Sequence, residues 1–357
     1  MEVVGRLFGL FSFDVGYEID LGRVRELVPQ ATSGGFAHRK AAPASLAYVT
    51  PPVVVRLASD EAGAAPDTAH AIVHEFGAIT IQIESTLRSE LAELPDLTSR
   101  LTSAAPLETR ARRLLDGLTK AIGPAITRSG HSPFVEDYYV LQLDEPPPGL
   151  SVPELVALER GALASALRCE PHALSEAEIA EVFAGAIRYY PDDLVVADWN
   201  VALIVDRDFG DALTVLEFLN VQLLELRFYD ALLDRRVAAG LAMQSKKAPG
   251  APLLYGRYRR AIDELAAIRV DVAAVVERVN GALKLGGSLY LAKVYRLAGE
   301  RLGLASWADD VARKLDVLQK VYDILVQRAT VARAEVLELT IIVLIVMEIA
   351  LYLIGKA

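Results

Sequence analysis

The chain has 357 residues, 53% of them hydrophobic and 24% charged, so it is neither disordered nor a fibrous repeat, and it is long enough for one large domain or two medium ones. A formal charge of −10, from 47 acids against 37 bases, disfavours a diffuse phosphate-binding role. A single cysteine, Cys169, excludes an internal disulfide framework and any cysteine-rich zinc module.

The opening MEVVGRLFGLFSFDVGYEIDL is broken by Gly5, Arg6, Gly9 and Asp14 and fits neither a signal peptide nor a transit peptide. Val3–Phe13 reads as a strand, and Asp20 caps a short helix that Pro29 stops. Strands are predicted over 45–57, where Pro51 and Pro52 imply an edge or a bulge, and over 71–83, with the β-branched run Ile79, Thr80, Ile81. Helices over 85–102 and 106–122, a strand over 134–143 and helices over 152–167 and 175–188 follow, Ser175 and Glu178 having capping-box spacing. A buried strand over 194–205, opened by a Tyr-Pro-Asp-Asp turn, completes an α+β domain, 1–206, with a mostly antiparallel sheet.

From 207 to 335 the pattern becomes long antiparallel helices or a coiled coil. Ala212, Leu216, Leu219, Leu223, Leu226, Leu233 and Val237 mark one helix. Pro249, Gly250 and Pro252 make a turn, and Tyr258, Ile262, Leu265, Val272, Val279 and Leu283 mark a second helix, with Gly286-Gly287 as a hinge. The last helix, N-capped near Ser306, carries the strongest pattern. Val311, Leu315, Leu318, Tyr322, Leu325, Ala329, Ala332 and Val336 alternate four and three residues apart, the seam of a coiled coil. The same spacing also suits intramolecular packing on the 209–243 helix.

The register continues through Leu339, Val343, Val346, Ala350 and Leu353, inside the apolar run LELTIIVLIVMEIALYLI. At about 1.5 Å per residue this run spans roughly 27 Å, and it is read as a single-pass transmembrane helix over 336–354, a tail anchor. The alternative is a buried core helix, since Glu338 and Glu348 interrupt the run. Lys320, Arg328 and Arg333 precede it and only Lys356 follows, which places the bulk of the chain in the cytoplasm. Glu348 lies near the middle of the run, outside the seam, and Tyr352 shares its face. One reading is a second contact face at Glu348, which implies an oligomer larger than a dimer; the alternatives are a protonated or snorkelling glutamate tolerated near the interface and an ion or proton pathway.

The run RKLDVLQKVYDILVQR (313–328), then LELTIIVLIVMEIALYL (337–353), resembles the end of the required-for-meiotic-nuclear-division protein family, a domain of unknown function. Leu337-Glu338, Ile341-Ile342, Leu344-Ile345 and Glu348-Ile349 carry the likeness, with weaker echoes at Phe76-Gly77 and Arg278-Val279-Asn280. The departure over 130–205 points to a bacterial branch. The resemblance implies a membrane-anchored, homo-oligomeric α+β domain without established catalysis, some of whose relatives support translation.

Other clusters are weighed the same way. His70 and His74 are four apart and precede Glu75, which is not the His-Glu-x-x-His order of zinc proteases, and no third ligand is evident, so ordinary strand histidines are the better reading. Asp192, Asp193, Asp198, Asp206 and Asp208 could hold magnesium, but turn formation after Pro191 and caps before the Phe209 helix explain them better. Arg110, Arg112 and Arg113, and Arg257, Arg259 and Arg260, could touch nucleic acid or anionic lipid, but solvated helix faces are the better reading. There is no phosphate-binding glycine loop, no dinucleotide fingerprint and no nucleophile elbow.

No catalytic residue, metal, cofactor or small-molecule substrate is therefore predicted. The expected protein is a non-enzymatic, membrane-anchored scaffold that homo-oligomerises through its C-terminal helix, with Glu338, Val343, Val346, Glu348, Ala350 and Tyr352 in membrane or oligomer contact. The alternatives are a membrane-tethered RNA- or ribosome-associated factor and a metal-dependent hydrolase using the aspartates of 192–208.

Overall fold

Alternation along the first strand sets the architecture. In a strand successive side chains point to opposite faces, and both faces of this one are apolar: Val3, Leu7, Phe11 and Phe13 on one, Phe8 and Leu10 on the other. Such a strand belongs in the middle of a sheet covered on both sides. A computed structural model places it there. It describes residues 1–34, 46–48, 50–57, 68–103, 106–129, 134–245, 283–285 and 289–354, with Ile262, Ala266 and Val272.

The strands are β1 (Glu2–Asp14), β2 (Glu18–Ile19), β3 (Thr32–Ser33), β4 (Leu46–Tyr48), β5 (Val53–Leu57), β6 (Thr68–Val73), β7 (Ala78–Glu90), β8 (Ile126–Thr127), β9 (Val135–Leu143), β10 (Leu194–Ala197), β11 (Val201–Val205) and β12 (Leu283–Leu285). The helices are α1 (Leu21–Leu27), α2 (Leu94–Ser103), α3 (Pro106–Ile122), α4 (Val152–Arg168), α5 (Glu176–Ala184), α6 (Gly210–Ser245), α7 (Leu289–Arg301) and α8 (Leu304–Ile354). The main sheet has the order β10-β11-β9-β1-β7-β6-β5-β3. Every pair is antiparallel except β9 with β11. The mixed α+β fold with a large, mostly antiparallel sheet and C-terminal helices is as the sequence indicates.

Several boundaries differ. The expected strand over 71–83 is a hairpin, β6–β7, turned by His74–Gly77, with Gly77 at φ +99°. Residues 85–90 extend β7 rather than open a helix, because they continue pairing with β1 out to Glu2↔Glu90. The expected strand over 194–205 is also a hairpin, β10–β11. Asp20 caps α1 by accepting from the Arg23 amide at 3.0 Å. Ser175 accepts from the Glu178 amide at 3.3 Å, and Ser151 with Glu154 forms a full capping box on α4 that the sequence reading passed over. The last helix begins at Leu304, not at Ser306. The second helix expected around 258–283 lies largely outside the described residues, as do Arg257, Arg259, Arg260, Arg278, Val279, Asn280 and the Gly286-Gly287 hinge.

The chain divides into two units, 1–228 with 277–306, and 229–276 with 307–357. In the first, α1 to α5 contribute to the core under the face of β1 that carries Val3, Leu7, Phe11 and Phe13. In the second, the C-terminal part of α6 packs on α8. Lys314 pairs with Asp230 at 2.7 Å and Asp234 at 2.6 Å, and further along both helices a Cβ on Gly240 would lie 2.5 Å from Val321. This register makes the pair parallel, where the sequence suggested antiparallel helices. Val311, Leu318, Leu325 and Ala329 of the seam are buried, and Leu315, Tyr322 and Val336 partly so. Beyond Ala329 the helix is open: eleven large apolar residues from Leu337 to Leu351 are 50–64% exposed. Val343, Val346, Ala350, Glu338 and Glu348 lie on this open stretch, while the side chains of Ala332 and Tyr352 are outside the described set.

The tail anchor is not upheld. No helix, among the described residues, is long and apolar enough to cross a membrane. Glu338 and Glu348 lie inside the apolar stretch. The single-pass topology and the cytoplasmic placement inferred from its flanking charges fall with it.

Candidate functional site

The second face of the sheet is the unusual one. It carries Ser12 from β1, His70 from β6, Thr80 and Gln82 from β7, and Glu136 and Gln142 from β9, together with His74 in the β6–β7 turn. Most of these are buried. Burying so many polar groups requires partners. Helix α6 supplies several of them, because Glu217 and Asn220 are three residues apart and so lie on one face.

At the centre of this layer Asn220 Nδ2 donates to Ser12 Oγ and to the Glu136 carbonyl, both at 2.9 Å. Ser12 Oγ and Thr80 Oγ1 lie 2.9 Å apart. The Glu136 carboxylate takes two contacts from Arg227, at 2.8 and 2.6 Å. Burial nevertheless pushes the Glu136 carboxyl up to about 7, with Arg227 opposing the rise.

Towards the β3 edge His74 Nε2 meets Glu217 Oε1 at 3.0 Å, both side chains being buried. The His74 ring stacks on Phe76 at 5.1 Å. Glu217 Oε2 has no hydrogen-bond partner among the described residues. Beside it a cavity of about 330 Å³ is lined by Ser33, His70, Gln82, Thr214 and Glu217, with Val54, Ile72 and Leu213 among the apolar contributors. Burial lowers the His70 pKa, and Arg56 adds to this while Glu84 opposes it, so His70 is a neutral imidazole at pH 7.

His70 and His74 are thus on the same face, as their spacing indicates, but no three His, Cys, Asp or Glu side chains group for a metal ion among the described residues. Strand β10 separates Asp198, at the hairpin turn, from Asp193 and Asp206, which flank the paired Leu194 and Val205 at the open end. Asp193 accepts from the Tyr189 amide at 2.7 Å at one end. Asp198 faces Arg168 at 3.1 Å at the other. Asp206 accepts from the Asp208 amide at 2.8 Å. Arg110 is buried and Arg112 is paired with Glu108 at 2.7 Å, so of that basic cluster Arg113 is the exposed member. Burial pushes the Cys169 thiol up to about 11, which leaves it protonated and a poor nucleophile at neutral pH.

Glu217, Asn220, Gln82, Ser12 and Glu136 were not singled out from the sequence. The available signal was the polar set Glu217, Asn220, Gln222 and Glu225 within a largely apolar helix, LTVLEFLNVQLLEL, matched by polar residues alternating in the strands.

Fold and site together define an α+β protein in which a long helix closes a polar sheet face. The chain belongs to the family described as "Uncharacterized protein MJ0711, N-terminal domain", which matches residues 4–212. A relative from Methanocaldococcus jannaschii, "Uncharacterized protein MJ0711", is 26% identical over 193 residues, covering 54% of this chain and 58% of the relative. The chain therefore spans less than two thirds of that protein's length. No solved structure matches.

These matches correct the resemblance to the required-for-meiotic-nuclear-division family and its bacterial branch. The family match includes the 130–205 region that the resemblance left unexplained and stops before the helices that carried it. An apolar heptad repeat records how helices pack, whatever their ancestry, and Phe76-Gly77 is a turn feature.

Proposed function

We propose that the protein is an assembly module acting by binding rather than catalysis: the distal part of α8 gathers copies of the chain, and the α+β unit is the domain so presented. The observation that carries this is the open apolar helix from Leu337 to Leu351, whose large side chains are exposed all round. A helix apolar on every face belongs in a core. The occupant is the same segment of further copies. The seam register that is buried upstream, at Val311, Leu318 and Leu325, continues unbroken through Val343 and Val346. The exposed apolar surface of roughly 1,000 Å² per copy matches the ~800 Å² each partner gives to a standard interface. Ile341, Leu344 and Ile345 lie outside the seam, so a two-stranded coil leaves them wet and three or more helices cover them better.

Sedimentation velocity of the full chain is expected to show an oligomer of three or more copies at micromolar concentration. A Val343→Glu, Val346→Glu double variant is expected to sediment as smaller species with an unchanged far-UV spectrum, since both residues lie beyond the packed part of α8. A monomeric wild-type chain at that concentration refutes the reading.

A further inference from the structure

We propose that the cavity beside Glu217 binds a small organic cation bearing N–H donors (an amine, amidine or guanidine with a short apolar body), the unpartnered Glu217 Oε2 receiving the donor and the wall of Val54, Ile72 and Leu213 receiving the apolar part. The cavity, about 330 Å³, is an order of magnitude larger than the ~30 Å³ share of one water and falls in the range of small-ligand pockets. It lies wholly within the first unit.

The lining fixes the ligand's charge. Among the described residues no lysine or arginine lines it, and its ionisable side chains are Glu217 and His70. Arg25 reaches the Ser33 hydroxyl at 3.4 Å and Arg56 stands near His70, but neither lines the cavity, whereas Glu217 does, so a phosphate or carboxylate there meets a buried carboxylate first and anions are disfavoured. Glu217 is 1% exposed and His74 occupies Oε1, which leaves Oε2 as an acceptor withdrawn from water without compensation. A carboxylate held in this way gains most from a charged N–H donor. Gln82 and the hydroxyls of Ser33 and Thr214 add neutral hydrogen-bonding groups around it.

The charge requirement is tested with three nearly isosteric probes on the full-length protein: benzamidine (cationic), benzamide (neutral) and benzoate (anionic), titrated calorimetrically at pH 7.5. Benzamidine is expected to bind at least roughly 10-fold more tightly than benzamide, with benzoate weakest. Glu217→Gln is expected to weaken benzamidine about 10–100-fold and to abolish its advantage over benzamide. Should that variant fail to fold, Thr214→Trp decides the matter, because Thr214 is half-buried at the cavity wall, where an indole takes up ligand space while Glu217 and His74 themselves are left unsubstituted. Loss of benzamidine binding in Thr214→Trp, with thermal stability retained, supports the site. Equal or tighter binding of benzamide or benzoate, undetectable benzamidine binding at millimolar concentration, or binding that survives Thr214→Trp overturns it.

Discussion

Replacing Gly5 by alanine is expected to lower the unfolding free energy of the α+β unit by about 3 kcal/mol or more. An added Cβ would lie 1.9 Å from the Gln142 carbonyl oxygen and 3.0 Å from the Leu143 side chain. Strand β1 cannot retreat from β9, because β7 holds it from the other side along its whole length. The clash is with backbone, so no rotamer change relieves it. Urea unfolding followed by circular dichroism checks this, with Val4→Ala as the control. Val4 is 59% exposed on the same strand, and its truncation is expected to cost under about 1 kcal/mol. Equal midpoints for the two variants would show that β1 and β9 are not so tightly apposed. Gly77 is expected to behave like Gly5, since it combines φ +99° with a Cβ position 1.8 Å from the Gly16 carbonyl.

The largest stabilisation is expected from Asp14→Asn. Burial pushes the Asp14 carboxyl up from 3.8 to about 7, against the Gly16 amide that it accepts at 3.2 Å. The folded-state value is raised, so the folded chain keeps a proton that the unfolded chain releases. This group's effect on stability is absent below about pH 4, becomes increasingly unfavourable as the pH rises from 4 to 7, and is constant above 7. Asparagine retains an oxygen for the Gly16 amide and has nothing to ionise. The variant is expected to gain about 2–4 kcal/mol at pH 7.5 and almost nothing at pH 4. Denaturation at the two pH values measures the difference, and an equal gain at both, or none at 7.5, contradicts the assignment.

The candidate site was legible only in part. The His70 and His74 spacing put both on one face of the β6 region, and the structure agrees. What lay opposite was not readable. Glu217 is more than a hundred residues away and reaches His74 because α6 lies across the sheet face, a long-range placement that local periodicity does not encode. Conversely, the aspartates of 192–208 are close in sequence, and the hairpin sends Asp198 to its turn while it returns Asp206 beside the Asp193 end, an arrangement set by pairing register and not by sequence proximity.

By itself the sequence determined the first strand, the capped helix α1, the mixed α+β class and the seam of α8, because each depends on alternation, spacing or a cap within a few residues. It could not separate a helix bound for lipid from one bound for protein, since both are apolar runs. Tertiary structure decided which part of that seam is occupied, packing it up to Ala329 against the C-terminal part of α6 and leaving the rest open. It also decided that the polar side of the central sheet is closed by α6. That polar layer, and the cavity at its edge, exist only where residues distant in the chain meet, because a buried polar group is stable when its partner is fixed in space rather than in sequence.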